Sequence, residues 1–189
     1  MSRWQPNARE RLENAALELY TERGFDQTTV NDIAQRAGLT ERTFFRHFAD
    51  KREVLFSGQE MLIDTVTDAV TSHPASATAF DAVAAGLAAF APYLDARGDR
   101  ARQRQRVIDA NLSLQERELG KLATLADAMA RALRGRGVAP EPAQMAAEAG
   151  LAVFKVAFAR WAADRTARDY GTVLDDAIAD FKALAGSPG

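Results

Sequence analysis

The side chains best equipped for chemistry in this chain are hydroxyls and cations gathered in one short stretch. They are Thr28, Thr29, Thr40 and Thr43, followed by Arg42, Arg46, Lys51 and Arg52. A guanidinium presents paired N–H groups that match two neighbouring acceptors such as guanine O6 and N7. Hydroxyls at helix starts and lysine point charges suit phosphate oxygens. Other chemistries lack material. There is no cysteine, which removes thiolate nucleophiles, disulfides and Cys-type zinc sites. Of the two histidines, His47 has no second ligand at helical spacing, and neither has a plausible Ser–His–Asp set near it. No G-x-x-x-x-G-K loop cradles phosphate. An enzyme is not expected, nor a metal or cofactor.

Composition bounds the scaffold. The chain has 189 residues, enough for one domain or a small one joined to a medium one, and 47% hydrophobic with 26% charged residues is globular. A net charge of −2 gives no global basic field, so any surface for nucleic acid must be local. The first residues lack the basic-then-apolar order of a signal peptide. The most apolar stretch, 145–163, is interrupted by Glu148, Lys155 and Arg160, so no membrane span is expected. A soluble cytoplasmic protein follows as the expectation.

Thirty-nine alanines against fourteen Val and Ile favour helix over strand, so the fold class is all-α. Leu12, Ala15, Ala16, Leu19 and Tyr20 trace one face of a helix over about 8–23, with Asn7 as cap and Gly24 as stop. Thr29 and Asp32 resemble a capping box for a second helix that ends at Gly38. Thr40 caps a third, 41–48, and Asp50 a fourth, Lys51 to about Ser72. Two short helices joined around a glycine and packed on a longer one form a helix-turn-helix. Beyond the break at His73–Ser76, helices are expected at about 77–96, 100–112, 115–136, 141–164 and 170–185. The Arg165–Asp169 run supplies the last break.

The order Gly24-Phe25, Thr28-Thr29-Val30, Ile33-Ala34, Ala37-Gly38, Thr40, Thr43-Phe44-Phe45, His47-Phe48, Lys51, Leu55 resembles the TetR family of transcriptional regulators, in its AcrR-like N-terminal form. The likeness runs without gaps over about 8–56. It implies a DNA-binding domain at 1–50 and an effector-binding and dimerisation domain at 51–189, about nine helices in all. It also implies a homodimer, most simply a repressor on a palindromic operator of double-stranded DNA, released by a small hydrophobic effector. The alternative is a DNA-binding or interaction module with no small-molecule input.

In such a motif the second helix enters the major groove and its first residues meet base edges. Those are Thr40, Glu41, Arg42 and Thr43. Arg42 suits guanine. Glu41 suits either cytosine N4 or the helix dipole of its own N-terminus. Thr28, Thr29, Phe45, Arg46, His47 and Lys51 suit backbone positioning, with His47 equally readable as a packed core residue. Phe45 stands where the family usually has Tyr, so a phenolic bond to phosphate gives way to apolar contact. Arg46 replaces a common His or aromatic residue and adds a cation. Residues 1–56 hold nine Lys+Arg and nine Asp+Glu, with Glu10, Glu13, Glu18 and Glu22 in the first helix and Arg42, Arg46, Lys51 and Arg52 flanking the third.

In the second part, Ala146, Gly150, Val153, Ala157 and Trp161 make one helix apolar around most of its circumference, and Leu174, Ala177, Ile178 and Phe181 form a stripe on the next. Helices of this kind need cover on two sides, so these residues are expected at the dimer interface. Phe80, Phe90, Tyr93, Ile108, Asn111, Met129, Phe154 and Phe158 are the candidates for an effector pocket, though aromatic and Met residues at helical spacing also build plain core. The Arg100–Arg106 run suits an acidic effector or a solvated helix face.

Overall fold

The computed structural model describes residues 7–164 and 168–186, and the regular elements among them are all helical. In chain order they are α1 (Ala8–Arg23), α2 (Val30–Arg36), α3 (Glu41–His47), a 3-10 turn (Glu53–Phe56), α4 (Gln59–Ser72) and α5 (Ala79–Ala89). Then follow α6 (Ala91–Asp95), α7 (Gly98–Asp109), α8 (Leu112–Gly135), α9 (Pro140–Ala163) and α10 (Tyr170–Gly186). The all-α expectation holds. Residues 165–167 of the polar break and the last three residues lie outside the described ones.

Two expected helices differ in the structure. The fourth does not start at Lys51. Asp50 Oδ1 accepts from the Arg52 and Glu53 N–H groups at 2.7 and 3.2 Å, and the chain then makes a 3-10 turn before α4 begins at Gln59. Val54, Leu55 and Phe56 of this turn are all buried in the core of the first unit. The expected helix at 77–96 is broken at Phe90. Pro92 lacks an N–H and its ring would clash one turn back, so it sits instead in the first turn of the new helix α6.

Contacts divide the chain into two units: Met1–Ser57 with Arg102–Glu118, and Gly58–Ala101 with Leu119–Gly189. The first unit packs α1–α3 around Leu12, Leu19, Tyr20, Ile33 and Phe44. Val107, Ile108 and Leu114, from the ends of α7 and α8 that meet at 109–112, complete the same core. Arg104 ties this segment down by donating to the Leu55 carbonyl at 2.5 Å and to Glu118 at 3.0 Å, with its guanidinium 5.0 Å from the Phe56 ring centre. Arg117 pairs with Glu53, and Asn111 Nδ2 donates to Asp26 Oδ1 at 3.3 Å.

The second unit is built on α4, α5, α9, α10 and the part of α8 from Leu119 on, with Val66, Val70, Val83, Leu87, Leu125, Met129, Leu133 and Trp161 among its buried side chains. Small residues let its helices approach. A Cβ on Gly86 of α5 would lie 2.8 Å from the Val66 carbonyl oxygen of α4. Among the described residues no helix is long and apolar enough to cross a membrane.

If 102–118 is part of the first core, Ile108→Ala should cost about 2–5 kcal/mol, the range for truncating a buried Ile side chain. Hydrogen exchange should speed up at α1 amides and stay unchanged at α9 amides.

Candidate nucleic-acid interface

The candidate surface is assembled from three turns, each closed by named bonds. Asn7 caps α1 by accepting from the Glu10 N–H at 2.9 Å, and Gly24, at φ 87°, ends it. The chain then turns Phe25 inward, where its ring meets Tyr20 edge-on at 5.2 Å. At α2 the capping box is reciprocal. Thr29 Oγ1 accepts from the Asp32 N–H at 3.1 Å, and Asp32 Oδ2 accepts from the Thr29 N–H at 2.9 Å. Those bonds from Thr29 hold the Asp32 carboxyl below its ordinary range.

The turn between α2 and α3 sets the angle of the third helix. Gly38 takes φ 64°, its N–H donates to Gln35 O at 2.9 Å and the Leu39 N–H donates to Ala34 O at 2.8 Å. This pair of bonds is a Schellman ending, which needs a left-handed residue. Arg11 of α1 clamps the outside of the turn by donating to the Ala37 carbonyl at 2.5 Å. A Cβ at Gly38 would come within 2.9 Å of that guanidinium, so both the φ angle and the space require glycine.

Thr40 caps α3 through the Thr43 N–H at 3.2 Å, and the two hydroxyls lie 3.1 Å apart. Phe44 is fully buried and Phe48 nearly so, their rings 5.5 Å apart. The opposite face carries Glu41, Arg42, Phe45 and Arg46, all exposed. Phe45 is 55% exposed although it is wholly apolar, and it rests edge-on against Phe44 at 83°. His47 is half-buried at the edge of this face, and its Nε2 has no partner among the described residues.

Two cations elsewhere in the unit are held in ion pairs. Arg36 pairs with Glu22 at 2.8 Å and Glu18 at 3.2 Å; those bonds raise its pKa and lower that of Glu22. Arg52 pairs with Asp50 at 2.6 Å. Arg42 and Arg46 have no ion-pair partner among the described residues. The α3 face therefore carries two guanidiniums without an ion pair, beside the single carboxylate of Glu41.

The structure thus brings Thr40, Glu41, Arg42, Thr43, Phe45, Arg46 and His47 together on one short helix, with Thr29 at the start of α2. It treats two other expected contacts differently. Thr28 is buried and its hydroxyl donates to the Gly24 carbonyl at 2.9 Å. Lys51 was expected as a free point charge. Instead its ammonium donates to the carbonyls of Phe25 and Thr28, each at 2.9 Å, and of Asp26 at 3.4 Å, and lies 4.3 Å from the Phe25 ring centre. Tyr20 donates its hydroxyl to the Lys51 carbonyl at 2.6 Å, and burial raises the pKa of that phenol. Lys51 and Thr28 hold the 25–28 loop rather than reach outward. Arg11, Tyr20 and Asn111 are positioning residues that local pattern did not reveal, because their partners lie 26 to 85 residues away.

Corrections also apply to the second unit. Gly150, Ala157, Trp161, Leu174 and Ala177 are buried in its own core, as are Val153 and Ala146. Ile178 and Phe181 pack partly against that core, with Phe181 4.7 Å from Phe80. These side chains are covered within one chain. The exposed apolar side of α9 is another one: Met145, Ala152, Val156, Ala159 and Ala163, with Ala149 half-buried between them. Of the pocket candidates, Phe80, Phe90, Tyr93, Met129, Phe154 and Phe158 belong to the second unit. Ile108 and Asn111 belong to the first, where Ile108 is core and Asn111 holds Asp26.

Comparison with known proteins agrees with this geometry. Residues 13–57 match the family described as "Bacterial regulatory proteins, tetR family". The HTH-type transcriptional regulator TcmR of Streptomyces glaucescens is 35% identical over 81 residues, which is 43% of this chain and 36% of TcmR. The chain thus matches little more than a third of that relative's length. Among solved structures, the regulator FadR from Bacillus subtilis, in complex with stearoyl-CoA, aligns with TM-score 0.63 at 18% identity, covering 95% of this chain and 99% of FadR. A SmeT–triclosan complex aligns with TM-score 0.60 at 23% identity, covering 93% and 91%. Those two likenesses concern the fold.

If the Lys51 ammonium is structural, Lys51→Met should destabilise the protein by about 1–3 kcal/mol in urea unfolding, because three carbonyls lose a charged donor. The salt dependence of any DNA binding should then keep its slope, since no phosphate contact is removed.

Proposed function

We propose that this chain, whose residues 13–57 match the tetR family of bacterial regulatory proteins, is a ligand-responsive DNA-binding transcriptional regulator. It acts as a homodimeric repressor on a palindromic operator and is released by a small, largely apolar effector. The observation that carries the DNA-binding reading is the outer face of α3, where two unpaired guanidiniums and an exposed aromatic ring stand on a helix anchored from behind by Phe44. A face of that composition fits a major groove. Arg42 is placed to donate to guanine O6 and N7, Arg46 to a phosphate, and Phe45 to make apolar contact. Thr29, at the start of α2, and His47 are the remaining candidates for phosphate.

Two copies of so short a reader are needed for useful affinity, and a symmetric dimer sets them about 34 Å apart on one side of the duplex. We assign the self-association face to the exposed stripe of α9, from Met145 through Val156 to Ala163, at helical spacing and without a charge along it. Effector binding falls to the second unit, 58–101 with 119–189. That unit's relatives in fold include proteins solved with stearoyl-CoA and with triclosan, both rich in apolar surface. The effector works by differential affinity for two states of the protein. α7 and α8 are the elements whose residues belong to both units, so a shift along either one acts on Val107, Ile108 and Leu114 behind α1.

Selection from random duplex DNA should recover an inverted repeat. On that site, Arg42→Ala should lose about 1–3 kcal/mol of discrimination at one base position per half-site, with little change on scrambled DNA. Failure to recover any site, or equal losses on both DNAs, contradicts the reading. Val156→Arg should give monomers in sedimentation and weaken operator binding by at least about 100-fold, the gain that linking two half-sites provides.

A further inference from the structure

Tyr170 opens α10 with its side chain fully buried in the second unit. Three other rings surround it: Trp161 at 5.6 Å, Phe154 at 6.1 Å and Phe158 at 6.3 Å between centres. Its place is held firmly. Asp95 Oδ1 accepts from the Tyr170 N–H at 2.5 Å, and Asp169 Oδ1 accepts from the Thr172 N–H at 2.7 Å, which caps the helix. Yet the Tyr170 hydroxyl is buried and has no hydrogen-bond partner among the described residues. Tyr20 in the first unit is the contrast, since it is equally sequestered but donates to a carbonyl.

A buried hydroxyl without a partner bears the whole cost of leaving water, and phenylalanine would fill the same ring position without it. An apolar enclosure with one convergent polar group is the usual composition of a small-molecule site. We propose that the Tyr170 hydroxyl is the polar anchor of a ligand site among Phe154, Phe158 and Trp161, for a neutral apolar molecule carrying one acceptor oxygen, a carbonyl or an ether. The four rings offer no positive charge to hold an anionic head, and the Asp95 carboxylate accepts from the backbone N–H of Tyr170. Burial, then Asp95, raises the pKa of the phenol, which keeps it protonated and a donor. The inference rests on the effector-binding reading and narrows it to a residue and a ligand class.

Benzophenone and diphenylmethane share a shape and differ by one carbonyl. The test uses the full chain with Trp4→Phe, which leaves Trp161 as its sole indole, and reads quenching of that indole. Benzophenone should bind at least about fivefold more tightly than diphenylmethane, the scale of one neutral hydrogen bond. Tyr170→Phe should abolish that preference while leaving Tm without ligand equal or higher. A fall in Tm in Tyr170→Phe would mean the hydroxyl is already satisfied, by an ordered water, and would overturn the site. So would a preference that survives in Tyr170→Phe, or no quenching by either compound. Operator binding separates the two readings. Benzophenone bound at Tyr170 without change in DNA affinity keeps the site and removes its regulatory role. Release by another compound, unaltered in Tyr170→Phe, keeps the regulation and removes the site.

Discussion

A seven-residue helix has too few hydrogen bonds to hold itself together in water. The third helix exists because Phe44 and Phe48, one turn apart, are pulled out of solvent against α1 and α2. That burial also settles which side chains face outward. With Phe44 at zero exposure, Glu41, Arg42, Phe45 and Arg46 have only the solvent side left. The recognition chemistry is therefore a consequence of core packing, and the turn at Gly38 with the Arg11 clamp fixes the direction in which it points.

Charge in the first unit follows the same logic of commitment. Nine acids balance nine bases over residues 1–56, yet the balance is not uniform. Glu18 and Glu22 hold Arg36, Asp50 holds Arg52, and Lys51 is absorbed by backbone carbonyls. Exposed pairs of this sort contribute little to stability. Their effect on the field is larger, because they neutralise Arg36 and Arg52 and leave Arg42 and Arg46 of α3 without an ion pair. A neutral domain can thus carry a local positive face of the kind a phosphate backbone attracts.

The second unit solves a different problem, that of packing long alanine-rich helices. Small side chains bring helices close, as at Gly86 against Val66 and at Gly150 against Val83. Close approach consumes the apolar face of α9 that seemed available to a partner, and leaves the Met145–Val156–Ala163 side outside. The aromatic side chains gather where α9 ends and α10 begins, and there one hydroxyl is left without a bond.

Much of the first fifty residues was legible along the chain, since the signals are local. The caps Asn7, Thr29 and Thr40 and the stops Gly24 and Gly38 act within a few residues of themselves, and α1, α2 and α3 appear where those signals put them. Periodicity likewise identified α9 and α10 as apolar helices, because 3.6-residue spacing is a property of the segment. What it could not say is which apolar side meets the same chain and which meets solvent. That depends on neighbours such as Val83 and Leu87, sixty-odd residues earlier. The same limit hid the role of 102–118 in the first core, the retention of Lys51 by the 25–28 loop, and the isolation of the Tyr170 hydroxyl. Sequence by itself determined the helices and the outward chemistry of α3, as short-range hydrogen bonds and side-chain spacing dictate. Only the tertiary structure decided which polar groups are already satisfied, because satisfaction is a matter of distance in space.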